Sequence, residues 1–347
     1  MSSGPTSVLS SSTSEFTEIQ IGKKFRIRRT ISADGSGDIY VGENMETKEE
    51  VVIKLEPLQC KCPLLLHEAR IYKELTGAIG IPAVHWDGIE GNFSVMVIGS
   101  LGASLQDMLS FCEGKFTLKT VLILADQMIT RVELLHSRNY VHRDIKPENF
   151  LLGLGQNADV IHITDFRLAK RFRDTNTMLH IPCREGRNRT GTVRYTSIST
   201  HLGLEHSRRD DLESMGYVFL YFLQGSLPWQ GITVIHKKFL YEKILKKKMN
   251  TSLDNLCATQ PDEFKLYLSY CKELLFDGTP DYQYLRNLLA NRFQLENFTS
   301  DFKVDWLTDA RLLRWIGSKA NDTEEEDDNI CIRPKEDAPQ SLETMKA

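Results

Sequence analysis

The chain lacks any apolar run approaching the roughly 18–20 residues that a membrane-crossing helix needs. Met1-Ser2 offers no myristoylation glycine and Lys346-Ala347 no prenylation cysteine, so no membrane attachment is expected. Its seven cysteines, Cys60, Cys62, Cys112, Cys183, Cys257, Cys271 and Cys331, are scattered. Cys60-Lys61-Cys62 is one residue tighter than the usual zinc pair and has no second pair nearby. With no secretion-signal pattern at the start, reduced thiols in the cytoplasm or nucleus are expected. A net charge of -4 excludes an overall attraction to nucleic acid or anionic lipid. Basic residues cluster only locally and without an aromatic surface on which bases could stack, so no nucleic-acid partner is expected. No internal repeat is present. What remains is a 347-residue chain, 41% hydrophobic and 26% charged, of ordinary globular composition and long enough for one two-lobed enzyme.

The densest chemistry lies between Val141 and Lys170, VHRDIKPENFLLGLGQNADVIHITDFRLAK. His142-Arg143-Asp144 is followed by Lys146 and Asn149, and an apolar strand-like run then leads to Asp165-Phe166. This is the order of parts for phosphoryl transfer. Asp144 is the candidate base for a substrate hydroxyl and Lys146 sits by the transferred phosphate. Asn149 and Asp165 are the candidate ligands of Mg2+, which takes hard oxygen donors in octahedral geometry. Upstream, Lys54 stands inside the apolar strand pattern Val51-Val52-Ile53-Lys54-Leu55. Burying it is costly unless a carboxylate meets it, and Glu68 on the following helix is the expected partner.

Residues 1–15, rich in Ser, Thr, Gly and Pro, are expected to be a disordered leader. Residues 16–98 show strand alternation, as in Phe25-Arg26-Ile27-Arg28, interrupted by one helix from about Pro63; five strands and that helix would form a small lobe. Residues 99–316 would form a larger, mostly helical lobe. Its expected helices run over Thr117 to Ser137, from Asp211 to Phe222, and over Lys237 to Met249, Pro261 to Leu274 and Asp281 to Phe293. Lys243, Lys246, Lys247 and Lys248 are expected to form a solvated basic face. The acidic residues 317–347 are expected to be disordered. The fold class is therefore α+β, a bilobal protein-kinase fold with a small mostly β N-lobe and a larger mostly α-helical C-lobe.

Beyond the catalytic stretch, Gly191-Thr192-Val193-Arg194-Tyr195, Ser197-Ile198-Ser199, Ser207-Arg208-Arg209-Asp210-Asp211, Leu227-Pro228-Trp229-Gln230-Gly231 and Pro280-Asp281-Tyr282 carry a further resemblance. With them the chain resembles the casein kinase 1 family of serine/threonine protein kinases, closest to its alpha-like members, over about Phe16 to Trp306. The resemblance implies ATP bound under Ile31, Gly35, Gly37 and Ile39, reached by Lys54 and by Asp165 through Mg2+, and held by the backbone of Gly99, Ser100 and Leu101. It implies acidic or phosphorylated Ser/Thr protein substrates, met by Arg194, Gly231 and Lys237. It also implies a catalytic loop braced by Asp211 and a monomer working in the cytoplasm and nucleus on signalling proteins.

The chain departs from that pattern at several points. Ser32 and Asp34 stand at the first two glycines of the phosphate-covering loop, Arg167 at the glycine after Asp165-Phe166, and Leu240 at a lysine that would help hold a priming phosphate. Lys54, Glu68, Asp144, Lys146, Asn149 and Asp165 are all present, and none of the departures removes a proton acceptor or metal ligand, so the first expectation is a kinase of reduced activity. A binding module without turnover is the alternative, motivated by Ser32, Asp34 and Arg167 together. A carboxylate about 4 Å from a phosphate costs about 4 kcal/mol at an effective dielectric near 20. Asp34→Gly is therefore expected to tighten ATP binding by roughly tenfold or more; unchanged affinity in a nucleotide titration would place that carboxylate in solvent.

Overall fold

Alternation organises the first part of the chain. In strand β2 (Phe25–Ser32) Phe25 and Ile27 point inward while Arg26 and Arg28 point away. Strands β3 (Asp38–Asn44), β4 (Glu50–Pro57), β5 (Val84–Glu90) and β6 (Phe93–Gly99) surround a core that includes Tyr40, Val51, Ile53, Val95 and Val97, and β6 is buried on both faces from Ser94 to Ile98. A two-residue strand β1 (Gln20–Ile21) pairs with β2, which makes the sheet six-stranded, in the order β1-β2-β3-β4-β6-β5. The sequence pattern had promised five, because two residues are too few to show a period. These features come from a computed structural model that describes residues 20–32, 37–187, 190–233, 238–299, 301–308 and 331–332.

Helix α1 (Leu65–Glu74) is the one helix expected in this region. Its N-cap, Leu64, has no side chain that can cap, and the carboxylate of Glu56 serves instead. Glu56 accepts from the backbone N–H of Leu64 and of Leu65 at 3.0 Å. The start of the helix, and with it Glu68 one turn later, is thereby tied to β4.

The chain divides into two compact units, Met1–Ala103 with Leu151–Arg167, and Ser104–Phe150 with Leu168–Ala347. The first is mostly β and the second mostly helical, the expected α+β architecture. Leu151–Arg167, which includes the short strand Ile161–Ile163 and the candidate metal ligand Asp165, belongs to the first unit.

In the second unit, helix α3 (Leu118–Ser137) starts at the cap Thr117 and buries the apolar stripe that its sequence spells out. Helix α5 (Arg208–Gln224) opens with a capping box between Ser207 and Asp210 and ends at Gly225, where φ is +78°. Helices α6 (Lys238–Asn250), α8 (Asp262–Glu273) and α9 (Tyr282–Leu295) lie within two residues of their expected ends. Three short helices, α2 (Leu105–Phe111), α4 (Ile198–His201) and α7 (Leu253–Leu256), escaped the sequence pattern because at four to seven residues they hold two turns or fewer. Among the described residues, no helix is long and apolar enough to cross a membrane. Cys331–Ile332 pair with Gly191–Thr192 as a two-residue strand.

One side chain contradicts the expected solvated basic face. Lys243, Lys246 and Lys247 are exposed, but Lys248 is buried, with 2% of its surface accessible. Its Nζ donates to the carbonyls of Val193 at 2.9 Å and Thr196 at 2.6 Å. It also lies over the rings of Tyr217 and Trp229, 5.2 Å and 5.0 Å from their centroids. The helical period turns position 248 inward, a full turn after buried Ile244. Burial pushes the ammonium down to about 7, with Glu213 opposing. An unfolded lysine titrates near 10.4, so between about pH 7 and pH 10 the unfolded chain binds more protons and stability rises with pH. Lys248→Met should remove that rise. The difference between the two denaturant-unfolding curves is expected to grow as pH climbs through this window; a constant difference would mean that Lys248 is not the titrating group.

Candidate active site

In the first unit, β4 carries Lys54 between Ile53 and Leu55, with Ile39 and Met96 as its register partners on β3 and β6. Its Nζ reaches Glu68 Oε1 at 2.6 Å, as expected from sequence. Glu68 is fully buried, and burial pushes its carboxyl up while the Lys54 ammonium pulls the other way. The second oxygen, Oε2, has no hydrogen-bond partner among the described residues. Lys54 is thus the charge that makes an ionised Glu68 tolerable in this core.

Around this pair lie other expected nucleotide contacts. Ile31 is 44% exposed near the end of β2, and Gly37 adopts φ +153° just before β3. Gly99 closes β6 and donates from its N–H to Ala83 O at 2.9 Å, and Ser100 Oγ donates to Glu50 at 2.8 Å. Leu101 follows, half-buried. Gly35 and Asp34 lie outside the described residues.

Asp165 departs from expectation. Its backbone has φ +63°, its N–H donates to Tyr72 Oη at 3.2 Å, and the adjoining Phe166 packs edge-on against the Tyr72 ring at 4.7 Å. The left-handed conformation thus falls on Asp165, and Arg167, which stands at a glycine position of the resembled pattern, enters a 3-10 turn, Phe166–Leu168. Arg167 then folds back. Its Nε donates to Asp165 Oδ1 at 2.7 Å and its Nη2 to Oδ2 at 3.0 Å, a two-pronged ion pair that engages both carboxylate oxygens. A divalent ion at Asp165 needs an oxygen at about 2.0–2.1 Å, in the space these N–H groups fill. As arranged here, Asp165 does not fit a metal. Elsewhere, too, the described residues hold no group of three or more His, Cys, Asp and Glu side chains suited to one.

In the second unit, Asp144 is buried and its Oδ1 accepts from the N–H and the hydroxyl of Thr192, both at 2.8 Å. This fixes the carboxylate and presents Oδ2, which lies 3.6 Å from Lys146 Nζ. Asn149, in the 3-10 turn Pro147–Asn149, donates from Nδ2 to the carbonyl of Asp144 at 2.9 Å. An amide meets a hard cation through its oxygen, so Oδ1 is the atom of Asn149 that would act as a ligand. The approach of Thr192 requires a glycine before it: a Cβ at Gly191, where φ is +86°, would stand 2.4 Å from the Arg143 carbonyl.

Asp211, brought in from α5, holds the loop from beneath. Its Oδ2 accepts from the N–H of His142 at 2.7 Å and faces His136 Nε2 at 2.9 Å. Its Oδ1 accepts from the N–H of Arg143 at 2.9 Å and faces His206 Nε2 at 2.9 Å. Burial alone would push this carboxyl up. The His206 imidazole and the hydrogen bonds from both histidines more than offset it and leave Asp211 well below the usual carboxylate range. Burial pushes His136 down; as a neutral ring it donates from Nε2 and accepts from Tyr282 Oη at Nδ1, 2.7 Å away. Sequence reasoning named Asp211 and the motif holding Tyr282, but missed His136 and His206. Each sits where a helical or loop pattern gives a histidine no meaning until the carboxylate is in place.

Of the expected substrate contacts, Arg194 and Gly231 come together, lining one cavity of about 270 Å³ with Thr192, Trp229, Gln230 and Leu240. The Arg194 guanidinium lies over the rings of Tyr195 and Tyr221, and Trp229 Nε1 donates to its carbonyl at 2.7 Å. Lys237 lies outside the described residues. Arg187 is paired with Glu205 at 2.8 Å, which also holds Lys170.

Residues 25–277, well over half of the chain, match the family described as the protein kinase domain. Replacing the central acceptor tests the brace. Asp211→Asn turns one oxygen into a donor that faces donors, with an expected loss of about 3–5 kcal/mol in denaturant unfolding. The folded carboxyl lies below the unfolded value of about 3.9, so its contribution is whole above that pH and fades as pH falls further. The acid limb below about pH 4 should be correspondingly flatter in the variant.

Proposed function

The chain belongs to the protein kinase family, and from that premise we propose that it is a serine/threonine kinase of casein kinase 1 type working at a reduced rate. Protein kinases are phosphotransferases that use ATP with a divalent metal. The observation that carries the proposal is the catalytic carboxylate: Asp144 is buried, orientated by two bonds from Thr192, and has Lys146 beside its other oxygen. In this scheme Asp144 Oδ2 accepts the proton of a Ser or Thr hydroxyl as the hydroxyl oxygen attacks the γ-phosphorus of ATP, and the bond from that phosphorus to the bridging oxygen breaks so that ADP leaves. Lys146 meets negative charge on the transferred group, and the Lys54–Glu68 pair positions the nucleotide. The reduced rate follows from Asp165, whose oxygens are both engaged by Arg167. No step is assigned to Mg2+ at that carboxylate.

For substrates the reading is acidic or phosphorylated Ser/Thr segments of proteins, bound by a monomer in the cytoplasm and nucleus. Its support is Arg194 at the cavity shared with Gly231, together with the sequence resemblance. Leu240 in the same cavity wall, where the resemblance implies a lysine, weakens the hold on a priming phosphate. The Arg167–Asp165 ion pair favours a second reading, a nucleotide-holding module without turnover.

Phosphate transfer from labelled Mg-ATP to an acidic Ser/Thr peptide distinguishes the two. Asp144→Asn is expected to abolish transfer and to leave nucleotide affinity unchanged. Equal transfer by that variant would remove Asp144 as the base, and no transfer by the folded native chain would favour the binding module.

A further inference from the structure

The Arg167 guanidinium does more than crowd a metal out of one carboxylate. We propose that Arg167 is the resident cation of the nucleotide site, so that ATP binds the first unit without the help of a divalent metal at Asp165. The inference rests on the reading of that unit as a nucleotide site.

The charges support it. Glu68 feels Lys54, Asp165 and Arg167 together, and so does not see Asp165 as an isolated anion. Two carboxylates and two permanent or near-permanent cations make this group neutral as it stands. With glycine at position 167 the same group would carry one uncompensated negative charge next to a phosphate-binding lysine, the condition that calls for an external cation. Arginine suits the replacement. Its charge does not titrate, and its planar fork matches both oxygens of a carboxylate, which a lysine ammonium could not do.

The backbone holds this exchange in place. The Asp165 N–H is tied to Tyr72, and Phe166, fully buried against the same ring, fixes the turn between the two charged residues. Arg167 therefore returns to Asp165 across a three-residue turn with little freedom to lose, which favours the ion pair over a contact made by a longer loop. A metal entering at Asp165 would have to break two charge-assisted hydrogen bonds and then sit beside the displaced guanidinium, with like charges at close range.

Titration of the full-length chain with a fluorescent ATP analogue, in excess EDTA and in millimolar magnesium chloride, tests the proposal. The native protein is expected to bind with the same affinity, within about twofold, in both conditions. Arg167→Gly should bind more weakly in EDTA and recover about tenfold or more on adding magnesium. A parallel titration with Mn2+ in the absence of nucleotide, followed by its electron paramagnetic resonance signal, should reveal a bound ion in Arg167→Gly and none in the native chain. If magnesium strengthens binding equally in both proteins, Asp165 gives up Arg167 for a metal and the inference is overturned while the nucleotide site stands. If neither protein binds the analogue although both show cooperative thermal unfolding, the nucleotide reading itself falls, and the inference with it.

Discussion

A single buried carboxylate, Asp211, sets the geometry on which the catalytic loop depends. It has no surface exposed to water, so every lone pair must be answered from inside the protein, and it is answered by the N–H groups of His142 and Arg143 and by the imidazoles of His136 and His206. The two backbone bonds are what hold Arg143 at φ +73°, a conformation that a free arginine avoids, and thereby aim Asp144. Three more elements are recruited to this one acceptor. Helix α3 supplies His136, the start of α9 supplies Tyr282 behind it, and the segment before α5 supplies His206, itself bonded to Thr200.

A second constraint works from the other side of Asp144. Thr192 can bond the carboxylate only because Gly191 lets two stretches of backbone approach closely. The segment that follows is then pinned by its carbonyls: those of Val193 and Thr196 to Lys248, and that of Arg194 to Trp229. A buried lysine bonded directly only to neutral carbonyls, with Glu213 compensating its charge in part, trades stability for position. It fixes the wall of the cavity that Arg194 and Gly231 share, which links a cost in the core to the proposed recognition of substrate.

The first unit shows a different economy of charge. Lys54 and Glu68 form the buried pair that the strand pattern anticipates, while Asp165 and Arg167 form a second pair two residues apart. Both carboxylates are neutralised within the protein. Under the proposal made above, arginine at position 167 changes which cation the site uses, while Asp144 keeps its bonds from Thr192 and Lys54 its bond to Glu68.

The sequence by itself determined the class of the fold and singled out the candidate residues of the proposed site. Period-2 alternation marks β2 to β4, period-3.6 stripes mark α3 and α5, and the spacing of Asp144, Lys146, Asn149 and Asp165 marks phosphoryl transfer, because these signals are local and each rests on residue type at a fixed interval. It could also flag Arg167 as a departure. Only the tertiary structure decided what that departure does, because the direction of a five-donor side chain depends on a 3-10 turn and a buried Phe166 that spacing does not encode. Lys248 teaches the same point. In sequence it is one lysine among four, whereas in the fold it is the one turned inward onto Val193 and Thr196, and its burial depends on what α6 packs against rather than on its own neighbours.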